Sequence, residues 1–586
     1  LAEAVPRTDP RHAQALAEAG RLAEDRLGKP SRALKCYRQA LDAGLDDPDV
    51  LRRLLALLTD LRRADEALAI ADRLLAHRRF LDPNARAEAL CARAALLAEL
   101  DRPQEAISAW RAALERSPLL LPAVEGLLTH LDHAPDEEQR EILRQIHQGA
   151  LSADGPAAKA GVEVLDRLAR RLLDRGDRMG SLEVYEALLA RDPERLGVRA
   201  ALARLHQRLA GTQPGPGERR HVREAIGHHL AFVRARPGDA AALEALEHLT
   251  AQLGEVDWTA NVGRVRALIT GERPGPAPAG PLPDLRDGPR LSRVGDTPWR
   301  LPMGLLVRAL HAWIGSDVDA LMGRPDPRPR PGLPPALALE VAALTDALGL
   351  PARQWCAAPG DGPVTVQFKP LTLGLPPDFA ARPLAARRFL VGRVLEASRG
   401  PAAWAALAAP DELNALVAAG LALALGEAGS EYALSSGADP ERVAVWGERL
   451  LGWLPSGKLD ALARLGRPVI AAGPEAFAGW VDAVHRLTER VGLVMAGDLR
   501  TALEILADEA EYRLPARLKD EAAWRGLFSA VPGAEALYQF AFGPTFRAPA
   551  ADEGAGPDGG ADEDATALDA EAAGGSGSDE GEWPAP

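Results

Sequence analysis

His485, read together with Glu489 or Glu396, brings together the residue types from which a general base or a small metal site is assembled: an imidazole that titrates near neutrality and a carboxylate to orient it. The supply is thin, because residues 295–545 hold only two histidines, His311 and His485, far apart in the chain. A second chemical candidate is Gly452-Trp-Leu-Pro-Ser-Gly-Lys458-Leu459, which matches the first seven positions of a phosphate-binding loop. Leu459 stands where that loop needs a hydroxyl for magnesium, Pro455 lacks the N–H that would face a phosphate, and the preceding Glu441 to Trp453 has the period of a helix rather than a strand. The densest imidazole cluster is His206, His221 and the pair His228-His229, which falls in a helical segment and reads as half-buried packing. Cys36, Cys91 and Cys356 are scattered singly, with no pair at metal or redox spacing. No dinucleotide glycine fingerprint, Gly-x-Ser-x-Gly elbow, Ser-x-x-Lys or calcium loop occurs, so no cofactor is expected. What remains are arginines on helix faces. Arg52, Arg53, Arg167, Arg170 and Arg171 could grip carboxylates two hydrogen bonds at a time.

The elements that must carry those arginines recur. Ala33, Tyr37 and Ala40 are followed 34 residues later by Ala67, Ala71 and Leu74, which keep the spacing without the aromatic. Leu90 to Pro118 places Ala94 at a helix crossing and Ala106, Trp110 and Ala113 on the following helix. Leu168 to Pro193 has Leu168 and Ala169 at the crossing, a Gly176-Asp177 turn, Tyr185 and a closing proline. Ala225, Phe232 and Pro237 repeat the signature after a GTQPGPGE insertion, whereas Pro122 to Gln148 is helical but degenerate. Small residues let two helices approach, an aromatic fills the gap between neighbours, and a proline opens the next unit. On these residues, about 12 to 260 resembles a tetratricopeptide repeat array. The resemblance implies a protein or peptide partner held in a groove lined by the first helix of each unit, with the five arginines as candidate contacts.

Charge and composition set the limits. The net charge of −14 is concentrated: residues 551–586 hold eleven acids and no Lys or Arg, leaving −3 on the rest. A nearly neutral body argues against nucleic acid, which needs a basic face. The tail, rich in Gly, Ala and Asp, is expected to be disordered. Only six of 69 basic residues are lysine, a bias expected of a GC-rich bacterial genome. No apolar run reaches membrane-spanning length, and LAEAVPRTDPRHAQ has no signal-peptide pattern, so a cytoplasmic location is expected, although the chain opens on Leu and an upstream segment is conceivable. GERPGPAPAGPLPD, 271–284, reads as a semi-rigid linker, and GRPDPRPRPGLPPA, 323–336, as a loop.

Residues 295–545 then read as a second domain. Helical periodicity is clear in 301–314, 336–348, 383–398, 411–425, 475–494 and 499–511. Val364–Phe368 and Leu371–Leu375 alternate around Lys369-Pro370, predicting a β-hairpin or small sheet. The segment RFLVGRVLE, 388–396, resembles the active-site helix of HtpX-like and CAAX-protease-like zinc metallopeptidases, and His485 to Leu506 resembles the helix of their third ligand. The resemblance implies zinc ligands at Arg393 and Ala397, the catalytic glutamate at Val394 and the third ligand at His485. These residue types cannot do that chemistry, since the His-Glu-x-x-His motif needs two imidazoles one turn apart. The expected architecture is mostly α: a repeat array over 1–270, a linker over 271–294, an α+β domain over 295–545 that is a pseudopeptidase, and an acidic tail over 546–586. The expected function is a protein-interaction scaffold without metal. The alternative is a hydrolase with an atypical site in 295–545.

Overall fold

A computed structural model describes residues 10–77, 82–212, 215–275, 277, 280–286, 293–295, 297–322, 333–351, 354–357, 365–367, 372–375, 378–407, 409–455, 457–543 and 545–546. The acidic tail and the loop of residues 323–332 lie outside the described residues. The chain divides into two compact units, Leu1–His221 and Val222–Pro586.

The first unit is built of antiparallel helix hairpins. Its helices are α1 (Pro10–Asp25), α2 (Pro30–Asp42), α3 (Pro48–Asp60), α4 (Ala64–Ala76), α5 (Pro83–Glu99), α6 (Pro103–Leu114), α7 (Leu121–His130), α8 (Asp136–Leu151), α9 (Ala158–Asp174), α10 (Arg178–Arg191) and α11 (Leu196–Ala210). Several begin on a proline, whose missing N–H costs nothing in a first turn, and Asp47, Asp82 and Asp177 cap theirs through side-chain oxygens. Gly176 takes φ +81° to turn the chain between α9 and α10. The repeated small residues are the crossing points: Ala33, Ala40, Ala67, Ala71, Ala94, Ala106, Ala113 and Ala169 are all fully buried. Trp110 is 3 % exposed and fills the gap beside α7, where a Cβ added at Gly126 would sit 2.2 Å from its ring. Gly20 plays the same part against Tyr37.

The second unit begins within α12 (Pro216–Ala235) and includes the hairpin α13 (Ala240–Gln252) and α14 (Val256–Thr270). At its centre the helix Leu384–Ala397 lies against Ala476–Ala496, and Gly392 faces Gly492 so closely that a Cβ on either would meet the other helix within 3.2 Å. Around it Trp404, Trp446 and Trp480 join a second apolar cluster with the helices Pro302–Met322, Pro410–Leu425 and Lys458–Ala472. The α14 helix is tied in through polar groups: Arg264 pairs with the fully buried Asp498 at 2.9 Å, and Asn261 Oδ1 accepts from the Leu499 N–H at 2.9 Å. Part of the proline-rich stretch packs here too, with Leu285 buried and its N–H donating to Ala347 O.

The α+β class expected for 295–545 is overturned: the described residues there pack as helix on helix. Among the described residues, strand geometry is confined to three short segments, β1 (Gln354–Ala357), β2 (Thr365–Gln367) and β3 (Thr372–Leu375). They run in the order β1-β3-β2, with β3 parallel to β1 and antiparallel to β2. Segments of three or four residues cannot present a face wide enough to serve as a layer. Alternation around Lys369-Pro370 was a local signal, and it says nothing about which surfaces make the core.

Candidate functional site

The spacing of α9 divides that helix into two faces. Val164, Leu165, Leu168, Ala169 and Leu172 are buried, so Glu163, Arg167 and Arg170 fall on the open side. There the first unit opens into two adjoining cavities, about 770 Å³ and about 520 Å³, which share Asp166, Arg170 and Arg195. Together they are lined by seven basic side chains and four acidic ones, a local positive excess in a chain of net negative charge. Arg204 and Arg208 come from α11, and Arg191 from the end of α10. Arg191 also donates to Ala150 O at 3.0 Å and Ala153 O at 2.9 Å, satisfying carbonyls at the end of α8. Tyr185 contributes a phenol whose ionisation is pushed up by burial and by the Asp166 carboxylate, so it stays a neutral donor and acceptor.

The five arginines expected to meet a partner already have carboxylates of their own. Arg53 reaches Glu24 at 3.1 Å and Asp25 at 2.9 Å, tying α3 back to α1, while Arg52 lies 3.5 Å from Asp49. Arg167 bridges Glu125 at 2.6 Å and Glu163 at 2.7 Å, and Arg171 reaches Asp132 at 3.2 Å. Arg170 pairs with Asp166 at 2.7 Å, yet 68 % of its side chain remains exposed. Arg167 and Arg170 share the cavity wall; Arg52, Arg53 and Arg171 line neither cavity. Sequence reasoning missed Lys159, Arg191, Arg195, Arg204 and Arg208. The i, i+4 spacing of Arg204 and Arg208 was the available signal.

In the second unit, Arg393 donates to both oxygens of Glu509 at 2.8 Å and lies over the Phe389 ring. Val394 is half-buried and Ala397 buried on the same helix. His485 is exposed, and its imidazole is lowered from the ordinary value, first by the protein packed around it and further by Arg393, with Asp482 opposing. Among the described residues, no three His, Cys, Asp or Glu side chains are grouped to hold a metal ion. His311 packs against Trp404 with centroids 5.1 Å apart. The near-miss phosphate loop joins the helices Pro440–Trp453 and Lys458–Ala472, and Lys458 sits over the Trp313 ring. His206 and His221 face each other, Nδ1 to Nδ1 at 2.9 Å, in a buried pair. Burial pushes the Cys91 thiol up to about 11, so it is not a nucleophile.

Residues 13–118 match the family described as tetratrico peptide repeat. No curated protein matches the chain. Among solved structures, the MamA protein aligns at 13 % identity and a TM-score of 0.21, over 38 % of this chain and 93 % of that one. The C-terminal part of a TPR repeat-containing protein from Cytophaga hutchinsonii aligns at 13 % and 0.27, over 44 % and 91 %. The TPR2AB domain of yeast Sti1, solved in a pHSP90 complex, aligns at 12 % and 0.20, over 44 % and 92 %. The HtpX-like resemblance of the C-terminal half finds no counterpart among these matches. The buried alanine crossings, the aromatic plugs and the matched segment agree: this chain carries tetratricopeptide repeats.

Proposed function

We propose that the chain is a protein-interaction scaffold that captures an acidic peptide segment in the cavities between α9, α10 and α11. The observation that carries this reading is the seven-to-four excess of basic side chains along those cavities, in a chain whose net charge is negative. Arg167, Arg170, Arg191 and Arg195 already lie beside carboxylates of their own, so a partner's carboxylate would extend existing networks rather than order free side chains, which lowers the entropic cost of binding. Arg170, paired yet largely exposed, is the residue with most remaining donor capacity.

The second unit serves in this reading as a non-catalytic module. Support comes from Arg393, which at the first ligand position is committed to Glu509, and from Glu489, which is 7 % exposed with its carboxylate against Gly533. The full-length chain should bind a fluorescein-labelled Asp/Glu-rich peptide by anisotropy, and Arg167→Glu with Arg170→Glu should weaken binding at least tenfold. Unchanged affinity in that variant removes these cavities as the capture surface. One equivalent of zinc in the purified protein, lost on His485→Ala, would favour a hydrolase instead.

A further inference from the structure

A third cavity, about 620 Å³, lies wholly within the second unit, between the turn joining α13 to α14, the Gly280–Pro283 stretch, the end of the helix Ala476–Ala496 and Phe546. That volume accommodates a small organic molecule. Its apolar wall is made by Leu282, Val494, Met495 and Phe546. Its polar side is dominated by donors. Trp258 is 8 % exposed, and its Nε1–H has no protein acceptor. Arg293 Nε is likewise buried without an acceptor. Arg388 spends one Nη1 hydrogen bond, 2.9 Å, on Gly280 O. Neither arginine forms an ion pair among the described residues. Burial lowers both guanidinium groups from their ordinary value, with Glu340 and Asp257 opposing it at Arg388. Glu255 and Asp257 also line the cavity, but Asp257 is exposed at the rim beside Gly280.

Trp258 Nε1 and Arg293 Nε are buried donors without an acceptor, and both residues line the cavity beside Arg388, a costly arrangement unless something accepts from them. The two rim acids weigh against a dianion, and the apolar wall against a fully hydrated inorganic anion. We propose that this cavity binds an organic monocarboxylate with an apolar body, its carboxylate taking hydrogen bonds from Arg293, Arg388 and Trp258 Nε1 and its body lying against Met495 and Phe546. The three donors come from α14, from the segment beyond the proline-rich stretch, and from the helix Leu384–Ala397, so only the folded second unit assembles them.

Titration calorimetry of the full-length chain with 4-phenylbutyrate and with decanoate should show saturable binding at one site. The neutral 4-phenylbutyramide should bind at least ten times more weakly. Arg293→Gln and Arg388→Gln should each lower affinity at least tenfold, and Trp258→Phe several-fold. In case a variant misfolds, amide hydrogen exchange on the unaltered protein supplies an independent test: 4-phenylbutyrate should protect residues 254–258, 280–283 and 494–497. No saturable heat with either acid at millimolar concentration overturns the proposal. So does equal binding of acid and amide, or protection that falls elsewhere.

Discussion

Glu489 is 7 % exposed, and its carboxylate lies against Gly533, where an added Cβ would come within 2.4 Å of it. Burial raises its pKa from 4.5 to about 7; Arg393, Arg486 and Arg490 pull it down and Glu509 pushes it up, and burial wins. Because the folded chain keeps this proton longer than the unfolded one, stability falls as pH rises from about 4.5 to about 7, and the loss persists above that. Its size is on the order of 3 kcal/mol at pH 8. Glu489→Gln should therefore stabilise the protein at pH 8 and far less at pH 5, measured by chemical denaturation at both. An equal effect at the two pH values would show that the carboxyl is not desolvated. Arg264 and Asp498 make the opposite case, a buried pair whose members satisfy each other and Thr501. Arg264→Met leaves a carboxylate with no exposure and should cost about 3–5 kcal/mol, whereas pairing it with Asp498→Leu should recover much of that loss. A single-variant cost below about 1 kcal/mol would mean the pair contributes little.

At the scale of elements, packing and intrinsic preference conflict at Gly126. Alanine is favoured over glycine in a helix by about 1 kcal/mol. Here its Cβ would sit 2.2 Å from the Trp110 ring, which is itself 3 % exposed and stacked on His130, so the ring has little room to give. Overpacking of that kind costs about 1–3 kcal/mol and outweighs the propensity. Gly126→Ala should thus lower stability by about 1 kcal/mol, and Trp110→Leu in the same chain should relieve the clash; a more stable Gly126→Ala would show that α7 can move away from α6. The alanine crossings were legible in the sequence because they are spaced by the helical period itself. The three short strands were a different matter. Alternation over four residues is satisfied by many backgrounds, and the apolar stripes of the surrounding helices, which decide the layers, lie far away in the chain.

For the molecule as a whole, charge is distributed in two opposite ways. Eleven acids sit in residues 551–586, while the cavities of α9–α11 hold a basic excess. Peptide capture there should weaken as salt rises, since screening at 0.15 M acts over about 8 Å. Anisotropy at 50 and 300 mM salt should show a several-fold loss; salt-independent affinity would indicate apolar rather than ionic capture. Arg167 and Arg170 were visible as exposed positions from helix spacing alone. Their carboxylates were only partly so: Glu163 and Asp166 lie one turn away on the same helix, but Glu125 is 42 residues distant. Pairing at that range depends on how hairpins stack.

From its own pattern the chain dictates paired helices, because small residues, aromatics and prolines recur at a period that any local segment expresses without help from the rest. It also dictates where charge accumulates. Only the tertiary structure decided that the described residues of 295–545 pack as helix on helix, that the helix-face arginines enter with partners already bound, and that Trp258, Arg293 and Arg388 line one cavity. The reason is range: periodicity acts within a few turns, whereas burial and ion pairing depend on which distant surfaces come together, and that is set by the summed packing of the whole unit.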